Sequence, residues 1–188
     1  MLKWLFKRQL DAFDRDYGYD SSYVREIVAA DLDAAIKFSK VMGLTKYRKG
    51  VPADARCAAG LVGTMAEDCG PCTQLGVTMA EREGVAPEII RAILTGNTQA
   101  MPEDVLLAYR FAHAVLAHDP EANPLRERIV AKWGEKGLIS LGFALTMARF
   151  FPTLKYAMGH GQACSRVKVG GTPVSVTVAV NRQEPQVA

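Results

Sequence analysis

Long apolar runs, massed basic residues, repeats and low-complexity tracts are missing from this 188-residue chain, and most of these absences remove a class of protein. No uninterrupted apolar stretch approaches the eighteen or so residues that a membrane-spanning helix requires, so a soluble protein is expected. The 23 lysines and arginines are scattered among 20 aspartates and glutamates and leave a formal charge of only +3. No nucleic-acid motif accompanies them, so no DNA or RNA partner is expected. Hydrophobic residues at 49% and charged residues at 23% match ordinary globular usage and exclude disordered and fibrous classes. The length allows one domain, with or without an extra arm, and a core that needs no cross-links.

Cysteine is scarce, and no secretory leader is expected. In Met1-Leu2-Lys3-Trp4-Leu5-Phe6-Lys7-Arg8-Gln9-Leu10, Lys7 and Arg8 interrupt the apolar run and no small-residue cleavage site follows. An amphipathic helix could set Trp4, Leu5 and Phe6 into a membrane surface with Lys3, Lys7 and Arg8 outside. Docking on the chain's own domain or on a neighbouring subunit is the favoured reading, so membrane contact by this first helix is not expected. Four cysteines without a leader suit a reducing, cytoplasmic compartment, where a close pair is more often catalytic than a staple.

Such a pair is present as Cys69-Gly70-Pro71-Cys72 within Met65-Ala66-Glu67-Asp68-Cys69-Gly70-Pro71-Cys72-Thr73-Gln74-Leu75. Leu75, Val77, Met79, Ala80 and the charged run before Gly84 predict a short helix that opens at the cysteines. Unpaired N–H groups and the positive end of the helix dipole favour a thiolate there, lowering a pKa that is about 8.5 in a free cysteine. Pro71 suits a first turn, where its missing N–H leaves no acceptor unserved. Half of a zinc site completed by Cys57 and Cys164 is the competing reading, as is a structural disulfide. Zinc sites usually bring two close pairs, and these other two cysteines are isolated. No metal and no cofactor are expected.

Nearly every periodic stretch is helical, and about seven helices are predicted. Tyr17 to Ser22 reads as a turn into a helix cap, and Val24, Ile27, Val28, Leu32, Ala35 and Ile36 as one face of a single helix reaching Met42-Gly43. Ala53 to Ala66 is a closely packed helix with Cys57, Leu61 and Met65 on one face, so Cys57 could point toward the pair, although an isolated cysteine on a helix is more often a small core residue. Pro87 to Leu94 stops at Gly96-Asn97, and Pro102 to Ala117 stops at Asp119-Pro120. Pro124 to Lys132 and Leu138 to Phe151 follow, with Pro152 as a break or kink. Val167, Val169, Val174, Val176, Val178 and Val180 alternate around Gly170-Gly171, predicting a β-hairpin or extended arm that packs on the domain or crosses to another subunit. No strand pattern precedes Cys69 and no tryptophan adjoins it, which argues against a thioredoxin-like fold.

With a cysteine pair opening a helix in an all-α chain, the sequence resembles the carboxymuconolactone decarboxylase-like superfamily, in particular its alkylhydroperoxidase D-like branch. The likeness runs from about Pro52 to about Gly159. It includes Leu106-Leu107-Ala108-Tyr109-Arg110-Phe111-Ala112-His113-Ala114-Val115 and Trp133-Gly134-Glu135-Lys136-Gly137-Leu138-Ile139-Ser140-Leu141, in that order after the cysteines. The resemblance implies an alkylhydroperoxidase D-like helical core over 51–160, outside which lie an N-terminal helical extension over 1–50 and an extended or β-hairpin C-terminal arm over 161–188. It also implies a homo-oligomer, a trimer or hexamer with a dimer as the smaller option. The activity implied is peroxiredoxin-like: one thiolate attacks a hydroperoxide, the sulfenic acid condenses with the other thiol, and an external dithiol reduces the disulfide. In the family the second cysteine commonly takes the peroxidatic role, here Cys72, whereas the helix dipole and the Cys-Gly-Pro-Cys order favour Cys69.

Two family residues do not carry over. Gly76 stands where the pattern has a histidine four positions after the second cysteine, and Cys57 where it has a glutamate about a dozen positions before the first. A general base contributes roughly a hundredfold or more, so weak or altered peroxidase activity is expected. Glu67 is a candidate replacement carboxylate, and His160, in a glycine-flanked loop, a candidate relay. His113 and His118 have less claim. Lactone decarboxylation needs no redox pair and is disfavoured. The expected function is a thiol-dependent, antioxidant oxidoreductase acting on a hydroperoxide or disulfide with Cys69 and Cys72. The alternative is a non-enzymatic oligomeric scaffold, partner-binding module or redox sensor of the same fold.

Overall fold

A computed structural model describes residues 2–161 and 166–177. The chain is mostly helical, with one small antiparallel hairpin near its C-terminal end. The helices are α1 (Leu2–Tyr17), α2 (Ser22–Ala30), α3 (Leu32–Val41), α4 (Ala53–Ala66), α5 (Gly70–Arg82), α6 (Pro87–Thr95), α7 (Glu103–Leu116) and α8 (Ala122–Ala157). Short 3₁₀ turns occupy Met42–Lys46 and Thr98–Ala100.

Helix α4 is the centre, and its small residues are the reason. Ala55, Ala58 and Ala59 are completely buried, and a Cβ on Gly63 would lie 2.8 Å from the Leu145 carbonyl oxygen and 2.9 Å from Ala148 Cβ. Without those side chains in the way, α8 closes onto α4, and α5, α6 and α7 pack around it. Ile90, Ile93 and Leu94 of α6, Val105 and Leu107 of α7, and Ile129, Leu141 and Leu145 of α8 complete this main core.

Two predicted helix boundaries move. The stretch from Val24 to Gly43 is two helices, because Asp31 adopts φ −146°, ψ 120° and accepts a hydrogen bond from the Asp33 N–H at 2.8 Å. The aspartate thus serves as the N-cap of α3, a position it favours over a helix interior. The second difference concerns the buried Pro152, which α8 passes without a break; the predicted interruption between Lys132 and Leu138 is present, at Gly134 (φ 69°, ψ 179°). Glycine alone enters that region at no steric cost. By length and composition, α8 is the one described helix able to cross a membrane; in this fold Leu141 and Leu145 belong to the main core.

The valine-rich segment forms β1 (Lys168–Val169) and β2 (Thr172–Pro173), with Val169 opposite Thr172. Gly170 and Gly171, at φ 57° and 77°, make a two-residue loop whose twist matches the strands. The hairpin packs on its own domain. Val167 and Val169 enter the main core. Gln74 of α5 brackets Lys168, accepting from its N–H at 2.7 Å and donating to its carbonyl at 3.2 Å. Glu81 accepts from the Gly170 N–H at 2.7 Å. Val178, Val180 and Cys164 lie outside the described residues.

The first helices lie against α5 and each other. Arg25 of α2 bridges Asp11 at 2.7 Å and Asp14 at 2.6 Å on α1. Arg82 at the end of α5 donates to the Asp16 carbonyl and stacks 4.2 Å from the Tyr17 ring centroid. Helix α1 buries no residue completely, so these polar ties, with Phe13 and Leu10 against the site described next, hold it in place.

Candidate functional site

Helix α4 ends at Ala66, and Asp68 turns the chain with φ 52°, a left-handed conformation that aspartate tolerates better than most residues. Cys69 follows as the N-cap of α5, extended at φ −106°, ψ 95°, with Pro71 in the first turn. The Cys69 carbonyl accepts from the Thr73 N–H at 2.9 Å and from Thr73 Oγ1 at 3.0 Å. This anchors the turn and leaves the Cys69 side chain at the helix opening. Both cysteines are free thiols; Cys69 is half-buried and Cys72 is 5% exposed.

The two sulfurs are chemically unequal. The side chain and the backbone N–H of Cys72 both hydrogen-bond the Cys69 sulfur, and with the Lys155 cation they bring Cys69 down to about 6, against burial and the Asp68 carboxylate. Cys72 is pushed up by that same bond and by burial, while Tyr19 and Lys155 act in the opposite sense. At neutral pH the negative charge therefore sits on the more accessible sulfur.

Cys72 faces a second apolar cluster with Tyr19, Tyr23 and Val24, enclosed by Leu10, Phe13, Phe38, Leu154 and Met158. These residues come from α1, α2, α3 and α8 and the turn between α1 and α2, so the N-terminal extension roofs the pair. The Tyr19 hydroxyl lies 3.6 Å from Cys72 Sγ, within hydrogen-bonding reach of sulfur, and also engages the Tyr23 hydroxyl. Burial raises both phenols, Tyr23 to about 12. Lys155 of α8 is only 3% exposed, and its Nζ sits 5.1 Å from the Tyr19 ring centroid.

The other sequence-predicted residues lie elsewhere. Glu67 faces α8, where it accepts from Arg149 Nε at 2.6 Å and Thr153 Oγ1 at 3.1 Å. His160 Nε2 is 2.9 Å from Glu26 Oε1 and its ring centroid is 6.5 Å from that of Tyr23; it borders the roof of the site rather than the thiols. Cys57 does not point toward the pair. Helices α4 and α5 run antiparallel, so the start of α4 meets the end of α5, where Arg56 pairs with Glu83. Burial holds the Cys57 thiol up to about 12, and α5, about 20 Å long at 1.5 Å per residue, separates Glu83 from Cys69. A Cβ at Gly76 would meet Leu61 Cδ2 at 3.1 Å, so leucine takes up space a histidine would need. His113 stacks on Tyr109 at 4.4 Å between ring centroids. Among the described residues no group of three or more His, Cys, Asp or Glu is placed to hold a metal ion.

Tyr19, Tyr23 and Lys155 are absent from the sequence-based candidates. Tyr19 sits in a glycine- and aspartate-bearing turn that reads as a connection. Lys155 was legible as a lone cation between Pro152, Leu154 and Tyr156 near the end of an apolar helix. No protein-family description, no curated protein and no solved structure matches this chain.

Proposed function

We propose that the chain is a thiol-dependent oxidoreductase of the alkylhydroperoxidase D-like kind, with Cys69 as the attacking thiolate and Cys72 as the resolving thiol. One observation carries this reading: Cys69 is the N-cap of α5 and Cys72 lies in its first turn, two free thiols at the opening of one helix. That position favours a thiolate while keeping a second sulfur in reach of the first. In the proposed cycle the Cys69 thiolate attacks the terminal oxygen of a hydroperoxide. The O–O bond breaks, the departing alkoxide takes a proton to leave as alcohol, and Cys69 becomes a sulfenic acid. Cys72 then attacks that sulfur and expels water, giving the disulfide. An external dithiol returns two electrons and two protons and is itself oxidised to a disulfide. With a disulfide substrate, the same thiolate forms a mixed disulfide that Cys72 resolves.

Glu67 and His160 are engaged by Arg149, Thr153 and Glu26, so this reading assigns neither a proton-transfer role. The fold supports it through the order of its helices, with α4 delivering the chain to a cysteine pair at the start of α5 and α7 and α8 following. A homo-oligomer in a reducing cytoplasm belongs to the same proposal; a monomeric mass by light scattering would remove the assembly.

The test is hydroperoxide consumption by the purified chain with dithiothreitol as reductant, together with peptide mapping of the oxidised protein. A Cys69–Cys72 disulfide, and loss of turnover in both C69S and C72S, are expected. Unchanged turnover in either variant overturns the reading.

A further inference from the structure

The site holds two polar groups that the proposed cycle does not yet use, each supplied by a different part of the fold. Tyr19 comes from the turn between α1 and α2, and its hydroxyl is 3.6 Å from Cys72 Sγ. Lys155 comes from the last turn of α8, and it is buried to 3% exposure with Nζ against the Tyr19 ring at 5.1 Å. A lysine withdrawn from water is costly unless negative charge develops nearby. No ion pair with Lys155 is present among the described residues. Its cation acts on both sulfurs and on the Asp20 carboxylate.

Re-reduction of the disulfide is the step that calls for these groups. Cys69 is the accessible sulfur and Cys72 the buried one, so an incoming dithiol's thiolate attacks Cys69 Sγ. The Sγ–Sγ bond breaks and its electron pair departs onto Cys72 Sγ, inside an apolar cluster of Val24, Leu75, Leu154 and Met158. A thiolate forming in such surroundings is a poor leaving group, and rates of exchange follow leaving-group stability. We infer that Tyr19 is a catalytic residue for this half of the cycle, donating its O–H to Cys72 Sγ as that sulfur leaves, while Lys155 positions the tyrosine and supplies the compensating charge. This rests on the redox reading above.

Tyr23 shares this cluster with Tyr19. When the Tyr19 hydrogen turns to sulfur, the Tyr19 oxygen is free to accept from the Tyr23 hydroxyl it already meets. Cys72 then takes a proton, delivered from the attacking reductant or from solvent. The reductant's second thiolate attacks the mixed disulfide and releases Cys69 as thiolate. Two sulfurs of the protein gain two electrons, and the dithiol becomes a cyclic disulfide.

The experiment begins with the full chain oxidised by diamide, a diazene oxidant, so that it does not depend on hydroperoxide turnover. Re-reduction by dithiothreitol is followed by quenching with an alkylating agent and mapping of the Cys69–Cys72 peptide. Tyr19→Phe keeps the ring in its cluster and removes only the donor. It is expected to slow re-reduction about tenfold, the loss of one hydrogen bond to a charged acceptor, while the first alkylation of Cys69 in the reduced protein stays within about twofold. Lys155→Met is expected to slow re-reduction and raise the pH midpoint of Cys69 alkylation, and Lys155→Arg to restore both in large part. A Tyr19→Phe protein re-reduced at the parental rate overturns the role of Tyr19. A Lys155→Met protein with an unmoved Cys69 midpoint overturns that of Lys155. If the parent chain re-reduces normally but consumes no hydroperoxide, the peroxidase reading falls and this inference stands. If diamide forms no Cys69–Cys72 disulfide in the parent, both fall.

Discussion

Alkylation of Cys69 across pH reads the electrostatics of the site directly. The groups that face Cys69 are Cys72 on α5, Lys155 on α8, Asp68 in the preceding turn and Tyr23 on α2. Their balance places Cys69 at about 6 against an ordinary 9.0. At pH 7 the thiolate fraction is then about 90% rather than about 1%. A thiolate three units less basic is also about 20-fold less nucleophilic at a Brønsted slope near 0.45. The two effects nearly cancel, leaving only about a fourfold advantage over a free cysteine at pH 7. A rate at one pH therefore decides little, and the midpoint decides a great deal. With iodoacetamide, quenched and mapped peptide by peptide on the full chain, Cys69 labelling is expected to rise through a midpoint near 6 and stay flat above about 7.5. Cys57, held up to about 12 by burial, and Cys72 are expected to stay nearly unlabelled across that range. The same asymmetry fixes the sign for stability. Below about 6 both folded and unfolded Cys69 are protonated; between about 6 and 9 the unfolded chain binds the extra proton. The dithiol form therefore gains stability as pH rises through that window, and above it the raised Cys72 reverses the slope. The disulfide form has neither titration. A Cys69 midpoint of 8.5 or higher would refute the arrangement of donors described here.

Other perturbations separate the contributors. Cys72→Ala removes the side-chain hydrogen bond to Cys69 and is expected to raise the Cys69 midpoint by about a unit or more, whereas Cys72→Ser, which keeps an O–H, is expected to raise it less; both are read by the same labelling. Glu67→Gln breaks the Arg149 pair, whose arginine is half-exposed, so a stability loss of about 0–1 kcal/mol by urea denaturation is expected, with the Cys69 midpoint unmoved. A shifted midpoint would return Glu67 to the thiol chemistry. Gly63→Ala puts a methyl 2.8 Å from the Leu145 carbonyl and is expected to cost about 1–3 kcal/mol through separation of α4 and α8. Thermal melting should then fall by about 2–12 °C, and an unchanged melting temperature would mean the helices are not so closely packed.

What the sequence made legible follows from how local each signal is. Helix α4 was readable end to end because Pro52 and the alanine-rich run define it within one segment. The hairpin was readable because Gly170-Gly171 suits a tight reversal. The place of the cysteines at the start of α5 needed only Pro71 and the apolar spacing that follows. Asp31 was missed because the apolar period from Val24 to Ile36 continues across it, and a cap that leaves the period intact is invisible to periodicity. Pro152 misleads for a different reason: proline is the usual helix breaker, yet α8 carries it without a break, while the interruption expected between Lys132 and Leu138 falls at Gly134. Cys57 packs against the main core, as an isolated helical cysteine usually does; helix phase alone says which residues share a face and not which end of a neighbouring helix that face meets.

The surroundings of Cys72 were illegible for a different reason, and it bears on what kind of site this is. Tyr19 and Cys72 are 53 positions apart, and Lys155 is farther still along the chain, so no local pattern links them. The proposed likeness to alkylhydroperoxidase D-like proteins begins at about Pro52 and excludes the segment that carries Tyr19 and Tyr23. Where that pattern has a histidine, this chain has a glycine against Leu61; where it has a glutamate, a partly buried cysteine near the Arg56–Glu83 pair. Both vacated positions are filled by packing, while hydroxyls and a cation arrive at the thiols from elsewhere. Polar groups seldom remain in an apolar cluster unless they are partnered, and here the partners are the sulfurs and one another. In the proposed cycle the N-terminal extension is therefore part of the site's chemistry as well as its roof, and substitutions in the turn at Tyr19 are expected to slow re-reduction of the disulfide before they lower the stability of the core.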